Sequence, residues 1–196
     1  MSLCTVAEAK SRIRALSTTA EDTRLTALVS AVSTAIARWC RYPGTAPSME
    51  STTYTHYRSG PTPDETGRIL RLPVRPVVSV TSVYDDPDWA YDSTHLVSSA
   101  DYAVDLDAGT ITLGTSADLG VWSSEPRAQK VTYVAGYATV PDDLKQAAVA
   151  LVEYWWTWLD SQQDANVTVY SERATGPMPK HVAGLLGPFK LTDAGL

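Results

Sequence analysis

The sequence is short of cysteine, of histidine and of long apolar runs, and each shortage closes off a class of function. Two cysteines, Cys4 and Cys40, among 196 residues are too few and too irregularly spaced for a disulfide framework, so both are expected as free, mostly buried thiols. No apolar run approaches the roughly 18 to 20 residues that cross a bilayer. The first residues lack the basic segment, apolar stretch and small-residue cleavage site of a secretory leader, so folding in a cytoplasm, away from any membrane, is expected. The three histidines, His56, His95 and His181, stand far apart without metal-ligand spacing. A P-loop, a Gly-x-Ser-x-Gly elbow, a His-Glu-x-x-His helix and paired Cys-x-x-Cys are all missing. The expectation is a protein that is not an enzyme, with no catalytic residue, metal or cofactor.

What is present is ordinary globular composition, 44% hydrophobic and 19% charged, in a length that fits one domain with elaborations over 1–196. The net charge of −6 argues against a general nucleic-acid coat, which carries a basic patch or stripe. The charge is uneven. Residues 1–45 are mildly basic, whereas residues 84–120 hold eight aspartates and no Lys or Arg.

The pattern along the chain changes twice. Thr5 and Glu8 have capping-box spacing, and Val6, Ala9, Ile13 and Leu16 share one helical face. Thr18 and Glu21 repeat the signal before Leu25, Leu28, Val29, Val32, Ile36, Trp39 and Cys40, a four-turn amphipathic helix stopped by Tyr42, Pro43 and Gly44. From 50 to 137 short β-branched and aromatic runs alternate with turn residues. Strands are expected at 52–58, 68–72, 77–84, 102–106, 110–113 and 130–135. Asp107-Ala108-Gly109 reads as a three-residue hairpin loop, and Pro73 and Pro76 as a kink. Pro141, Asp142 and Asp143 then open a long helix over 140–161. Leu144, Ala148, Leu151, Val152, Trp155, Trp158 and Leu159 form its broad apolar face, with Val149 and Trp156 on a flank. A C-terminal arm, 162–196, holds a short β-like run at 167–170 and the helical PKHVAGLLGPF. The expected fold class is α+β, mainly a helical bundle of two N-terminal helices and one long C-terminal helix, with a β-rich insertion of antiparallel strands and hairpins.

Three groups of residues invite a chemical reading. Asp85, Asp86, Asp88 and Asp92 are oxygen donors close in sequence, but Pro87 and the missing Gly and distal Glu do not fit a calcium loop. A solvated acidic loop is the plain reading. Asp105 and Asp107 alternate onto one strand face, yet adjoin a tight hairpin rather than a pocket. The aromatics, Trp89 and Trp122 among them, allow a carbohydrate-binding β module as an alternative. Trp155 and Trp158 have core spacing, and Val149 with Trp156 reads as a patch for another protein surface.

The order of the motifs is itself informative: VAEAKSRIRA, EDTRLTALVSAVSTAIARWC, RLPVRPVVSVTSVY, YAVDLDAGTITL, VTYVAGYATVPDDLKQAAVALVEYWW and PKHVAGLLGPF. Together, over nearly the whole chain, they resemble the head-tail connector or adaptor proteins of long-tailed phages and of gene transfer agents. The resemblance implies a virion protein of the neck, assembled as a homo-oligomeric ring, commonly a dodecamer. Its implied partners are the portal above, a neck or tail-completion protein below, and duplex DNA passing through without sequence specificity. It maps portal docking onto Pro179, Val182, Leu185, Leu186 and Phe189. Val149 and Trp156 become candidates for the neighbouring subunit, and the aspartate loop for the channel or the rim.

Overall fold

The computed structural model describes residues 2–13, 19–58, 67–163 and 178–191. The chain divides into two compact units, 1–49 with 139–190 and 50–138 with 191–196.

The first unit is helical. Helix α1 (Val6–Arg12) starts at the expected capping box, with Thr5 Oγ1 accepting from the Glu8 amide and Glu8 reaching back to the Thr5 amide. Helix α2 (Asp22–Trp39) buries Leu25, Leu28, Val29, Val32 and Ile36 as the period requires. Glu21 precedes it without a side-chain cap, and Thr18 and Leu16 lie outside the described residues. Beyond α2, Arg41 and Gly44 take left-handed conformations, φ 66° and 104°, that turn the chain away. Helix α3 (Asp142–Gln163) touches each of the other three helices. It buries Leu144, Ala147, Ala148, Leu151, Val152, Trp155 and Trp156. Helix α4 (Lys180–Leu186) packs on α3 and runs into a 3-10 turn, Gly187–Phe189, at the expected Gly187-Pro188 stop.

The second unit is built from strands β1 (Thr52–Tyr57), β2 (Ile69–Arg71), β3 (Val77–Asp85), β4 (Tyr102–Asp105), β5 (Thr110–Leu113) and β6 (Gln129–Ala135). All six expected strands are present, within two residues at each end. They form two antiparallel sheets, ordered β1-β6-β3 and β2-β5-β4. Strand β6, central in the first, buries every second residue: Gln129, Val131, Tyr133 and Ala135. The proline kink contains a cis Arg75-Pro76 bond, and Tyr133 Oη accepts from the Val74 amide at 3.3 Å. Burial pushes the Tyr133 hydroxyl up to about 12.

The expectation of a mainly helical bundle is overturned. Among the described residues the protein is 35% helix and 23% strand, with two three-stranded sheets and four α-helices. The physical reason is that the β region closes a core of its own, from Leu70, Leu72, Val74, Val83, Ile111, Leu113, Trp122, Val131 and Tyr133. Sheets that bury their own apolar faces are not an ornament on a bundle. Both cysteines are free and buried, as expected.

The β4–β5 hairpin turns through Gly109 at φ 65°, where an added Cβ would lie 2.7 Å from Arg75 Cδ. Gly109→Ala is therefore expected to destabilise the protein by about 1 to 2 kcal/mol, the cost of a left-handed alanine. A urea or guanidinium unfolding midpoint lowered accordingly is the check.

Candidate functional site

The four aspartates at the end of β3 and in the loop that follows do not form one solvated cluster. Asp85 is the last strand residue, and alternation turns it inward. Its carboxylate accepts from the Ser123 amide (3.0 Å), Ser123 Oγ (3.1 Å) and Gln129 Nε2 (2.8 Å). Asp86 is fully buried and accepts from the Asp88 and Tyr91 amides at 2.9 and 2.6 Å, which folds the loop around it. Asp88 and Asp92 are exposed. Asp92 caps a 3-10 turn, Ser93–His95, through Thr94, and accepts a contact from His95 Nδ1 at 2.9 Å.

The electrostatics follow from those partners. Desolvation raises the Asp86 pKa, but the Tyr91 and Asp88 amides and the His95 ring 3.6 Å away outweigh it and hold the carboxyl below its ordinary range. Asp92 falls to about 2 through its bonds to Thr94 and then His95. His95 is raised, chiefly by the Asp92 bond. Among the described residues no group of three or more His, Cys, Asp or Glu is placed to hold a metal.

Beside this loop lies a feature that sequence reasoning missed. Tyr57, Lys130 and Tyr84 are cross-strand neighbours, one from each strand of the first sheet. Lys130 Nζ lies 5.3 and 5.0 Å from the rings of Tyr84 and Tyr91, and the Arg127 guanidinium 4.8 Å over Tyr57. Such cation–aromatic contacts are worth about 0.5 to 1 kcal/mol each when exposed. Two clips hold the adjoining loops: Trp89 Nε1 donates to the Pro126 carbonyl (2.9 Å) and Tyr91 Oη to the Arg127 carbonyl (2.6 Å). Trp89, Tyr91 and Arg127 all have left-handed backbones, φ 64°, 50° and 64°. The alternation of β1 and β6 was a signal for this row, but pairing Tyr57 with Lys130 needs the register.

The helical unit holds the remaining candidates. Val182 and Leu186 are fully buried, Leu185 is 38% exposed, and Pro179 and Phe189 are half-buried. The docking segment thus has an anchoring side and an open side. On α3, Val149 is half-buried, while Trp156, assigned to the flank, is 5% exposed with the Arg24 guanidinium 4.6 Å over its ring. Helices pack on α3 from several directions, so its buried sector is wider than one face. An open groove of about 830 Å³ runs along the small-residue side of α2, lined by Ala27, Ala31, Ala35, Trp39, Trp155 and Met178 among others. Trp155 Nε1 has no hydrogen-bond partner among the described residues.

The other chemical readings fare less well. Trp122 is buried, with Nε1 donating to the Arg68 carbonyl at 2.8 Å, so it offers no sugar platform. Asp105 accepts from the Ala108 amide at the hairpin tip. His56 sits in β1 and His181 on α4, in different units. The run 167–170 lies outside the described residues. No helix of the described residues is long and apolar enough to cross a membrane.

The surfaces prominent here, an exposed leucine on an anchored helix and a cation-aromatic row beside an acidic loop, suit a protein that works by contact with others, a structural component of an assembly. A family model described as head completion protein matches residues 2–191, and the chain belongs to that family, phage structural proteins of the head-tail junction. Family membership implies a place in the virion. None of the curated proteins compared with the chain matches it.

The loop's titration is predictable in sign. Stabilisation from a raised His95 is fully present below its ordinary 6.5 and is lost as pH rises through the folded value. That from Asp92 is present above its ordinary 3.8 and is lost as pH falls toward about 2. In an NMR titration His95 is expected to have its midpoint above 6.5, moving down in Asp92→Asn. A midpoint indifferent to that substitution contradicts the assignment.

Proposed function

We propose that the chain is a head-tail adaptor subunit that closes into a ring, of about twelve copies by family resemblance, beneath the portal, seals its exit and presents a platform to the next neck or tail-completion protein. The observation that carries this reading is the family match over nearly the whole chain. The ring and its channel for duplex DNA follow from the resemblance rather than from any one residue. A closed ring needs two different lateral surfaces, because its contacts are heterologous.

Portal docking is assigned to Pro179–Phe189. Val182 and Leu186 hold α4 to α3, leaving Leu185 and Phe189 to meet the partner. Val149 is the more accessible of the two lateral candidates, and Trp156 supports the same helix from beneath Arg24. Asp88 and Asp92, the exposed members of the acidic loop, are the two that reach either a channel wall or the outer rim. Facing DNA, they would repel the duplex and keep it from adhering.

The test is association with portal and particles. Wild-type chain is expected in portal complexes and in the necks of purified particles, imaged by electron microscopy. Leu185→Asp is expected to weaken portal binding about tenfold or more, in line with loss of one interface anchor, with an unchanged melting curve. A wild-type chain that stays monomeric and never joins portal or particle necks refutes the reading.

A further inference from the structure

Every sheet edge is a template for another strand, and proteins that must stay separate blunt their edges. Strand β3 is blunted by two register irregularities and by Leu96, which bridges to Tyr84. Strand β2 has only three residues. Strands β1 and β4 carry neither device.

The hydrogen-bond pattern says which groups they expose. In an antiparallel pair, residues alternate between bonding the partner and facing away. The Arg58 amide bonds the Gln129 carbonyl at 3.0 Å, so Thr53, Thr55 and Tyr57 turn their backbone groups outward from β1. The Gly114 amide bonds the Asp101 carbonyl at 2.7 Å, so Tyr102 and Val104 do the same from β4. Among the described residues none of these five makes a backbone hydrogen bond beyond its own sheet.

The two edges are opposite in charge. Strand β1 ends at the cation–aromatic row, and neither Arg127 nor Lys130 has an ion pair among the described residues. Strand β4 is bracketed by Asp101 and Asp105: set antiparallel with Thr55 against Val104, its Asp101 falls opposite Arg58, whose carbonyl accepts from the Arg127 amide, and set parallel, its Asp105 falls opposite Tyr57. The nearest cation in the Asp105 row, Arg71, stands on the far edge of that sheet.

We infer that β1 of one copy pairs with β4 of a second copy, joining β3-β6-β1 to β4-β5-β2 in one intermolecular six-stranded sheet. The contact is heterologous, with each copy offering one edge of each kind, so it propagates around a ring. The inference rests on the ring reading and adds the surface through which neighbours meet. Main-chain bonds supply the affinity of such strand addition and the charged ends its register.

The experiment uses particles assembled with the full chain carrying Thr55→Cys and Val104→Cys, treated with a short bismaleimide and run on a denaturing gel. The native thiols are buried and pushed up to about 11 and 12 by desolvation, so they do not compete. The expected result is a ladder of dimers, trimers and higher species, lost in each single variant and reduced by Arg127→Glu. Thr53→Cys replaces Thr55→Cys if the first pair is not incorporated. Monomer alone from particles that contain a double variant overturns the edge pairing, as do dimers from Thr55→Cys alone, which would mean β1 meeting β1. Absence of the wild-type chain from particles refutes the adaptor reading instead.

Discussion

The strict alternation of β6 is the constraint from which the β unit follows. A central strand with Gln129, Val131, Tyr133 and Ala135 buried cannot slip by one residue without exposing its whole apolar set. That register forces Lys130 and Thr132 outward and sets Tyr57 and Tyr84 beside Lys130. It also brings Gln129 to Asp85, whose buried carboxylate is satisfied only because the strand end and the Ser123 loop meet there. Core and surface are two sides of one pairing.

In the helical unit the corresponding element is α3. It touches each of the other three helices, and burial of an aliphatic side chain contributes roughly 1.5 to 3 kcal/mol. A seven-residue helix such as α4 would be marginal alone, so Val182 and Leu186 hold it by packing. Leu185 is presented because its neighbours three residues before and one after are not. Arg12 to Glu153, at 2.8 Å, adds an exposed pair of small value.

Elements were legible in the sequence and their environments less so. The capping box at Thr5 and Glu8, the Gly109 hairpin and the Pro141 helix start rest on local rules, and the structure contains each. The helical-bundle expectation failed because strand patterns reveal length and alternation but not that two sheets close a separate core. A helical wheel with one buried face sets Trp156 on the flank, whereas α3 is covered from several sides. Asp85 and Asp86 looked like solvent-facing acids because composition does not show which amides a carboxylate will meet. The Tyr57, Lys130 and Tyr84 row depends on register across strands far apart in sequence, which no local pattern contains.

The clips between the Trp89 and Arg127 loops are asymmetric in what they ask of the chain. Both donors are side chains, Trp89 Nε1 and Tyr91 Oη, while both acceptors are backbone carbonyls. Any residue at 126 or 127 carries such a carbonyl, but few side chains can replace the donors. Drift at the acceptor loop can thus change the charge this surface shows to a partner while its shape persists, and drift at 89 or 91 cannot.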